Sequence, residues 1–237
     1  MQIQGSVVLV TGGNRGIGAE FVRQLKQRGA AKIYVAARSI DSVNVEGVEV
    51  IALDVTDDAQ VQAAAAQAGD VQLLINNAGT TFSQTLVDGD FDVIRREFET
   101  NFFGPLKLIR AFAPVLAANG GGAVLNVLSA LSWISASGGT VYAASKAAAW
   151  SMTDGARLEL AAQGTQVTGL HMGMVDTDMT AGSDLVKIAP AVVVTAALDG
   201  LESGATEVLA DDTARFVKAS LTADPGTRYA DSLAARV

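Results

Sequence analysis

The feature that most constrains the fold is an apolar run followed at once by a glycine-rich loop and a helical pattern. Residues 7–10 are wholly apolar and mostly β-branched, which predicts a strand buried on both faces, as in a parallel sheet. Residues 11–18 contain Gly12, Gly16 and Gly18, and a helical pattern then runs to about residue 29. An ordinary glycine-rich turn is the simpler interpretation. Strand, loop and helix in this order nevertheless favour a site where the main chain approaches a dinucleotide pyrophosphate.

The alternation of strand and helix patterns continues along the whole chain. Further strands are predicted at residues 32–37, 48–53, 71–75, 124–128, 167–171 and 206–209. Helices are predicted at residues 56–68, 91–116 (interrupted near Asn101 and Gly104), 142–163 and 190–204. Residues 224–226 predict a turn, and no linker, repeat or low-complexity tract divides the chain. The pattern therefore predicts an α/β Rossmann fold, with one doubly wound domain over residues 1–237 and a seven-stranded parallel sheet flanked by helices.

Composition excludes several classes of function. A length of 237 residues suits one domain, and a net charge of −8 gives no support for nucleic-acid binding. There is no cysteine, and the one histidine, His171, argues against a metal site and a Ser-His-Asp triad. His171 is expected to be a satisfied polar residue near the sheet's edge. The first residues lack a signal-peptide pattern and no apolar run would span a membrane, so a soluble cytoplasmic protein is expected.

The end of the second predicted strand indicates which dinucleotide is preferred. An NAD site usually has a carboxylate about twenty residues after the glycine loop, which accepts a hydrogen bond from the ribose 2′-hydroxyl. Ala37 stands there instead, and Arg38 follows it. Arg38 and Arg15 could both contact a 2′-phosphate, although each alone could be an ordinary surface arginine. Together with the missing acid, they favour NADP.

Polar and small residues follow other predicted strands, where α/β folds place their ligands. Asp54 could be a turn residue or an adenine contact, and neither is favoured. Residues 76–79, which read Asn-Asn-Ala-Gly, suit a ligand crevice. Asn101 interrupts a helix, which indicates either a kink or an amide placed to hold a water or a carbonyl.

A candidate catalytic group lies between the fifth strand and the following helix. Tyr142 and Lys146 are four residues apart and share one helix face, and Ser129 ends the preceding strand. These three residues could share the work of catalysis at a carbonyl group. Tyr142 would be the acid, Lys146 the cation that lowers the tyrosine's pKa, and Ser129 the hydroxyl that donates to the carbonyl oxygen. Tyr-x-x-x-Lys alone is a weak signal, because it recurs by chance.

Taken together, these residues resemble the short-chain dehydrogenase/reductase family over nearly the whole chain. The family's Thr-Gly-x-x-x-Gly-x-Gly loop matches residues 11–18, its Asn-Asn-Ala-Gly matches residues 76–79, and its active-site residues match Asn101, Ser129, Tyr142 and Lys146. The resemblance implies an NADP(H)-dependent oxidoreductase that transfers a hydride between nicotinamide and a carbonyl or alcohol. It also implies that Lys146 binds the nicotinamide ribose, that Asn101 anchors a water, and that the protein forms a homodimer or homotetramer.

The resemblance extends to a full set of predicted site residues. The cofactor-binding set is Gly12, Asn14, Arg15, Gly16, Ile17, Gly18, Arg38, Ser39, Asp54, Val55, Asn77, Ala78, Gly79, Tyr142, Lys146, Gly173, Val175 and Thr177. Phe82, Trp133, Met174 and Met179 could line an apolar substrate pocket, or could be plain packing residues. No metal site is expected.

The sequence also departs from the family pattern and leaves alternatives open. Met172 stands where relatives usually have proline, and the segment after Thr177 is short, which predicts a more open substrate pocket. A regulator that binds NADP without turnover is one alternative, although the complete Ser-Tyr-Lys set argues against it. A 3-oxoacyl-thioester reductase is another. Epimerisation or dehydration is disfavoured, because those relatives have longer C-terminal regions.

Overall fold

The computed structural model describes residues 1–230, so the last seven residues of the predicted domain lie outside it. Seven strands are present, and each coincides with a predicted strand to within two residues at either end. They are β1 (Val7–Thr11), β2 (Lys32–Ala37), β3 (Glu49–Ala52), β4 (Leu73–Asn76), β5 (Ala123–Val127), β6 (Gln166–His171) and β7 (Glu207–Leu209).

All seven strands pair in parallel in one sheet, in the order β3-β2-β1-β4-β5-β6-β7. The strand order reverses between β1 and β4, which pair directly through Val8–Leu73, Leu9–Leu74 and Val10–Ile75. In open α/β sheets, ligands bind beyond the carboxyl ends of the strands at this reversal. The predicted doubly wound Rossmann fold is confirmed.

The helices alternate with the strands and cover both faces of the sheet. They are α1 (Gly16–Gln27), α2 (Asp58–Gln67), α3 (Phe91–Phe98), α4 (Gly104–Ala118), α5 (Thr140–Glu159), α6 (Pro190–Glu202), α7 (Asp212–Ala219) and α8 (Pro225–Arg228). The predicted interruption of the long third helical pattern is a π-helical turn, Glu99–Phe103, between α3 and α4. The predicted turn at residues 224–226 is instead the start of α8, which Asp224 caps through the Gly226 amide.

The core has two layers, one on each face of the sheet. Val8 and Val10 point into the layer under α1 and α6, while Leu9 between them points into the layer with Phe112 of α4. Burial on both faces is the reason that the strands are apolar without alternation. Across residues 1–230 no helix combines the length and apolarity needed to cross a membrane.

Candidate active site

The glycine loop between β1 and α1 is shaped by close main-chain contacts. A Cβ atom on Gly18 would lie 2.1 Å from the Gly12 carbonyl oxygen and 2.6 Å from Asn77 Nδ2, so no side chain fits there. Gly12 and Gly16 have φ angles of +62° and +53°, in the left-handed region that favours glycine. Side chains are therefore excluded from the loop at the points where a ligand would need the bare main chain.

The N-terminus of α1 is open to an anion. Arg15 precedes the helix without a side-chain cap, and the first turn of α1 contains no acidic residue. The first amides of a helix have no intrahelical partners and carry the positive end of the helix dipole. Together with the bare glycine loop, this end of α1 fits the pyrophosphate of a dinucleotide.

Residues at the end of β4 hold the glycine loop in place. Asn77 Nδ2 donates to the carbonyls of Thr11 and Gly12, at 2.9 and 3.2 Å. Thr11 Oγ1 accepts from the amides of Asn77 and Ala78, both at 3.0 Å. The structure thus brings the two predicted cofactor segments, residues 12–18 and 77–79, into contact. The role of Thr11 as their link was not predicted, although the residue is part of the loop motif.

The two arginines predicted to contact a 2′-phosphate lie at the surface on this side of the site. Arg38 and Ser39 are exposed immediately after β2. Arg15 Nη1 forms an ion pair with Asp178 Oδ2 at 3.1 Å, and both side chains are mostly exposed. Arg15 therefore already has a partner, which the sequence did not indicate. Because an exposed pair contributes at most about 1 kcal/mol, a phosphate could displace Asp178 at small cost.

The other residues predicted near the adenosine half have mixed surroundings. Asp54 Oδ1 accepts from the amide and hydroxyl of Thr56, as a turn residue does. Burial alone would raise the pKa of Asp54, but the Thr56 hydrogen bonds and the charges of Arg38 and Lys107 lower it overall. Asn14 Nδ2 donates to Ser42 Oγ at 3.1 Å.

Two apolar residues of the predicted cofactor set belong partly or wholly to the core. The Val55 side chain is buried, and its Cγ2 would lie 2.8 Å from a Cβ on Gly104, so it lines the core rather than a ligand cleft. Ile17, in the first turn of α1, is half-buried against the layer under α6. Neither side chain offers a polar contact, so any role in binding belongs to the main chain or to apolar contact.

The segment after β6 closes the cofactor side of the site. A Cβ on Gly173 would lie 2.8 Å from Thr213, and the Gly173 amide donates to Asp211, which explains the glycine next to the unusual Met172. Val175 is buried in the core. Thr177 lies against the glycine loop, since its Cγ2 is 3.3 Å from a Cβ built on Gly16.

Ser129 presents a hydroxyl with a free proton. It follows β5 and is 8% exposed, and its Oγ accepts from the Leu131 amide at 3.1 Å. Because Oγ acts there as an acceptor, its own O–H remains available to donate. The Ser129 hydroxyl lowers the pKa of the Tyr142 phenol in part. A carbonyl oxygen at the same place would receive the same donor.

Tyr142 and Lys146 lie one turn apart on α5, where Tyr142 is half-buried and Lys146 is buried. Lys146 is 6% exposed, its Nζ donates to the Val127 carbonyl at 2.9 Å, and Nζ is 5.7 Å from the centroid of the Tyr142 ring. Burial raises the pKa of Tyr142 to about 12 and lowers that of Lys146 to about 8. The expected lowering of the tyrosine's pKa by Lys146 is therefore not seen in the protein alone: burial raises that pKa, the Ser129 hydroxyl opposes the rise, and the Glu97 charge adds to it.

Asn101 joins the π-helical turn to the rest of the site. Its Nδ2 donates to the Thr80 carbonyl and to Ser145 Oγ, and its Oδ1 accepts from the Thr80 amide. Its side chain is 1% exposed and both Nδ2 hydrogens are used, so any water that it anchors would have to bind Oδ1 or the main chain. A Cβ on Gly79 would lie 3.3 Å from Asn101 Oδ1 and 3.7 Å from Lys146 Nζ, which places all three residues side by side.

The predicted substrate-pocket residues separate into two groups. Phe82 is 40% exposed and Met179 is 50% exposed, and both lie on loops beside the site, whereas Met174 is half-buried. Trp133 is 8% exposed and stacks on His171 with ring centroids 3.8 Å apart. Packing thus accounts for Trp133 without a substrate. A pocket role stays a prediction for the other three.

His171 is a structural residue, but it is only half satisfied. It is fully buried on β6, next to the edge strand, and its Nδ1 lies 3.0 Å from the Ser129 carbonyl. Nε2 has no hydrogen-bond partner within residues 1–230, which corrects the expectation of full satisfaction. Burial lowers the pKa of His171 to about 4, so the ring is neutral near pH 7. It holds the main chain of Ser129 in place.

Glu97 is a residue of this site that the sequence analysis missed. It is fully buried on α3, and its Oε2 accepts from the Phe82 amide at 3.0 Å. Its charge acts on the pKa values of Tyr142 and Lys146. The available signal was its position four residues before Asn101, on the same helical face.

Comparisons with known proteins agree with this geometry. The family model described as short chain dehydrogenase matches residues 6–185. A short chain dehydrogenase from Burkholderia cenocepacia, solved in complex with NADP, is 40% identical over 98% of each chain, with a TM-score of 0.93. A short chain dehydrogenase/reductase from Burkholderia phymatum, solved with NAD, is 23% identical, covers 94% of this chain and 96% of its own, and has a TM-score of 0.81. An uncharacterized oxidoreductase from Staphylococcus haemolyticus is 31% identical over 77% of this chain and 84% of its own.

Proposed function

The chain belongs to the short-chain dehydrogenase family of oxidoreductases, and from this premise we propose that it is an NADP-dependent reductase or dehydrogenase. It transfers a hydride between the nicotinamide and the carbonyl or alcohol carbon of a small molecule. When bound, the nicotinamide supplies or accepts that hydride. The chain's own residues orient the substrate oxygen and move its proton.

One observation carries the proposal: Lys146 Nζ lies 5.7 Å from the centroid of the Tyr142 ring, and the Ser129 hydroxyl is near enough to lower the pKa of the Tyr142 phenol in part. Ser129 has an unused O–H, so it can donate to a carbonyl oxygen and fix its position. Tyr142 is then placed to give its proton to the same oxygen as negative charge develops there. A plain structural motif would not require a serine donor, a phenol and a buried cation at one point.

The pKa values fit the reduction direction without further adjustment. With its pKa raised to about 12, Tyr142 is protonated at neutral pH and can act as an acid. The reverse reaction needs the phenolate, and each pKa unit of lowering requires about 1.4 kcal/mol of preference for that form. Lys146, whose Nζ is 5.7 Å from the ring, is the cation that this chain contributes toward it.

Preference for NADP is supported by the surface around β2. Ala37 ends the strand where a carboxylate would bind a free 2′-hydroxyl, and the exposed Arg38 follows it. Arg15 lies at the start of α1 with only a weak, exposed partner in Asp178. The Burkholderia cenocepacia relative that binds NADP is similar over nearly its full length, which supports the same choice.

The mouth of the site suits an apolar substrate. Two loops beside it carry exposed apolar side chains, Phe82 and Leu86 on the loop after β4 and Met179 and Val186 on the segment after β6. Exposed apolar side chains on segments next to an active site often cover an apolar ligand. We therefore include in the proposal that the carbonyl is borne by an apolar organic molecule.

A matched carbonyl screen tests the function. Consumption of NADPH would be followed at the nicotinamide absorbance with aryl and alkyl ketones and aldehydes, with their charged or polyhydroxylated counterparts, and with 3-oxoacyl thioesters. The proposal predicts turnover with the apolar carbonyls and little with the charged ones. Tight NADPH binding without turnover of any class would instead indicate a regulator that binds NADP, and preference for the thioesters would indicate the narrower reductase.

A further inference from the structure

A chain of buried polar side chains crosses the mostly apolar core layer between the sheet and α5. Asn76 on β4 and Asn126 on β5 are register partners, and Asn76 Nδ2 donates to Asn126 Oδ1 at 2.8 Å. Asn126 Nδ2 donates in turn to Thr153 Oγ1 on α5 at 2.9 Å, and that hydroxyl donates to the Ala149 carbonyl at 2.7 Å. Asn76, Asn126 and Thr153 are each at most 3% exposed. These hydrogen bonds therefore join β4, β5 and α5 through the core.

Apolar packing alone does not account for these three side chains. Leu74 and Val124 stand two positions before the asparagines, point into the same layer and are fully buried. Asparagine is depleted in strands, and a buried amide is costly unless its hydrogen bonds are made. Asn76 Oδ1 has no hydrogen-bond partner within residues 1–230. Apolar side chains could fill the layer without that cost, which indicates that the hydrogen bonds serve geometry rather than stability.

Within the described residues, two side-chain hydrogen bonds attach α5 to β5. One joins Thr153 to Asn126, and the other runs from Lys146 Nζ to the carbonyl of the next strand residue, Val127, at 2.9 Å. Lys146 and Thr153 are seven residues apart, which is about two helical turns. Two attachment points separated along a helix fix both its height over the strand and its rotation about its own axis. Apolar contacts fix these less sharply, because they are not directional.

The position of α5 matters because the reacting groups are divided between this helix and the end of β5. Ser129 follows Asn126 by three residues. Tyr142 lies on α5 eleven residues before Thr153, which is about three helical turns and so the same side of the helix. A shift or rotation of α5 over β5 would therefore move the Tyr142 phenol relative to the Ser129 hydroxyl.

We propose that Asn126 and Thr153 are positioning residues of the active site, whose hydrogen bond fixes the Tyr142 phenol relative to the Ser129 hydroxyl. The inference rests on the proposed oxidoreductase function. The Asn126 and Thr153 side chains bond only to each other, to Asn76 and to the Ala149 carbonyl within the described part of the chain, so they act through α5. A misplacement of about 1 Å can cost about 100-fold in rate. Loss of this hydrogen bond should therefore lower kcat rather than weaken binding.

Substitutions of Thr153 test the inference through kcat, the KM of the best carbonyl substrate, NADPH affinity and melting temperature. Thr153→Val keeps the shape of the side chain but removes the hydroxyl, so Asn126 Nδ2 loses its acceptor. We expect kcat to fall about tenfold or more, while KM and the NADPH dissociation constant stay within about threefold of the wild type's. Thr153→Ser keeps the hydroxyl and should retain kcat within about threefold.

Thr165→Val is the matched control, because it makes the same change at another buried threonine. The Thr165 hydroxyl also donates to a carbonyl, that of Gly121, and accepts from a side-chain amide, Gln163 Nε2. It stands just before β6, at the end of the sheet opposite the active site. Thr165→Val should lower the melting temperature much as Thr153→Val does and leave kcat unchanged. An equal loss of kcat in both variants would show general destabilisation and overturn the inference.

A second variant separates the position of α5 from the stability of the fold. Replacing Asn76, Asn126 and Thr153 together by valine removes the whole polar chain, so no amide is left buried without a partner. Its melting temperature should stay within about 4 °C of the wild type's, and its kcat should fall as in Thr153→Val. This variant also decides the question if Thr153→Val fails to fold. A wild-type kcat in either variant, once folded, would contradict the inference.

Failure of the proposed function would give a different result. A wild type that reduces no carbonyl would refute that function, and the position of α5 would then be followed by tryptophan emission. Trp150 lies on α5 three residues before Thr153, and its ring centroid is 6.2 Å from that of Trp133. Thr153→Val should shift the emission, whereas Thr153→Ser and Thr165→Val should not. Unchanged emission in Thr153→Val would show that α5 keeps its position without the hydrogen bond, against the inference.

Discussion

Cofactor choice provides the prediction with the clearest structural arithmetic. Two charge-assisted contacts to a 2′-phosphate, from Arg38 and Arg15, would contribute roughly 1.5–3 kcal/mol each. Arg15 must first leave Asp178, and because both side chains are mostly exposed this costs at most about 1 kcal/mol. The net preference for NADP over NAD is then about 2–5 kcal/mol, or roughly thirtyfold to several thousandfold if the contacts add.

Three variants separate these contributions. Arg38→Ala should lower kcat/KM for NADPH by roughly 10- to 150-fold and leave the value for NADH nearly unchanged. Adding Ala37→Asp should reverse the preference, because a carboxylate there accepts from a hydroxyl and repels a phosphate. Asp178→Ala should improve the use of NADPH by up to about fivefold, because it releases Arg15.

The assay compares kcat/KM for NADPH and NADH in the wild type and the variants at fixed ionic strength, since salt screens exposed charges. Melting temperatures serve as the control for Ala37→Asp, because Ala37 is 5% exposed and a carboxylate there could weaken the fold. Equal or better use of NADH by the wild type would refute the reasoning. Arg15 and Arg38 would then be ordinary surface arginines.

Three further predictions concern the glycine loop, acid stability and assembly. Gly18→Ala should destabilise the protein by about 1–3 kcal/mol and abolish measurable NADPH binding in a fluorescence titration, because the added Cβ would lie 2.1 Å from the Gly12 carbonyl oxygen. Gly155→Ala on α5 is the control: its Cβ would have no neighbouring atom within 4 Å, so this variant should be neutral or stabilising. The pKa of His171 is lowered to about 4, so on acidification the unfolded state binds the proton first. The stability that the neutral, buried ring contributes is fully present above pH 6.5 and is lost as the pH falls toward 4. In denaturant unfolding, the free energy of unfolding of His171→Gln should therefore fall by about 2 kcal/mol less than that of the wild type between pH 7 and pH 5. Sedimentation at micromolar concentration should show a homodimer or homotetramer formed through the faces of α4 and α5. Phe103, in the π-helical turn just before α4, and Leu158, on α5, are exposed apolar residues there. A monomer alone would contradict this prediction.

The fold could be predicted from the sequence because its signals are local and redundant. The inner strands are short, mostly apolar runs buried on both faces, and each strand is separated from the next by a helical pattern or a loop. Even the partly exposed edge strands β3 and β7 were located. The interruption at Asn101 was also visible, although not its π-helical form. The short helix α8 was predicted as a turn, because Asp-Pro-Gly starts either structure equally well.

The site was only partly predictable, because some of its physics depends on burial and on long-range contacts. The ion pair between Arg15 and Asp178 joins residues 163 positions apart, and no local pattern indicates it. The raised pKa of Tyr142 depends on how deeply the phenol is buried, which periodicity does not measure. Trp133 follows a site-bearing segment in the sequence, but its ring stacks on His171 from the neighbouring strand.

The central claim is that Tyr142 is the acid of an NADPH-dependent carbonyl reductase, and Tyr142→Phe tests it most directly. The measurement pairs the rate of NADPH consumption on the best carbonyl substrate with NADPH affinity from a fluorescence titration. Removing one hydroxyl from the site should leave the affinity within about threefold of wild type and lower kcat by at least about 10²-fold. A variant that binds NADPH normally and keeps near-normal kcat would contradict the account.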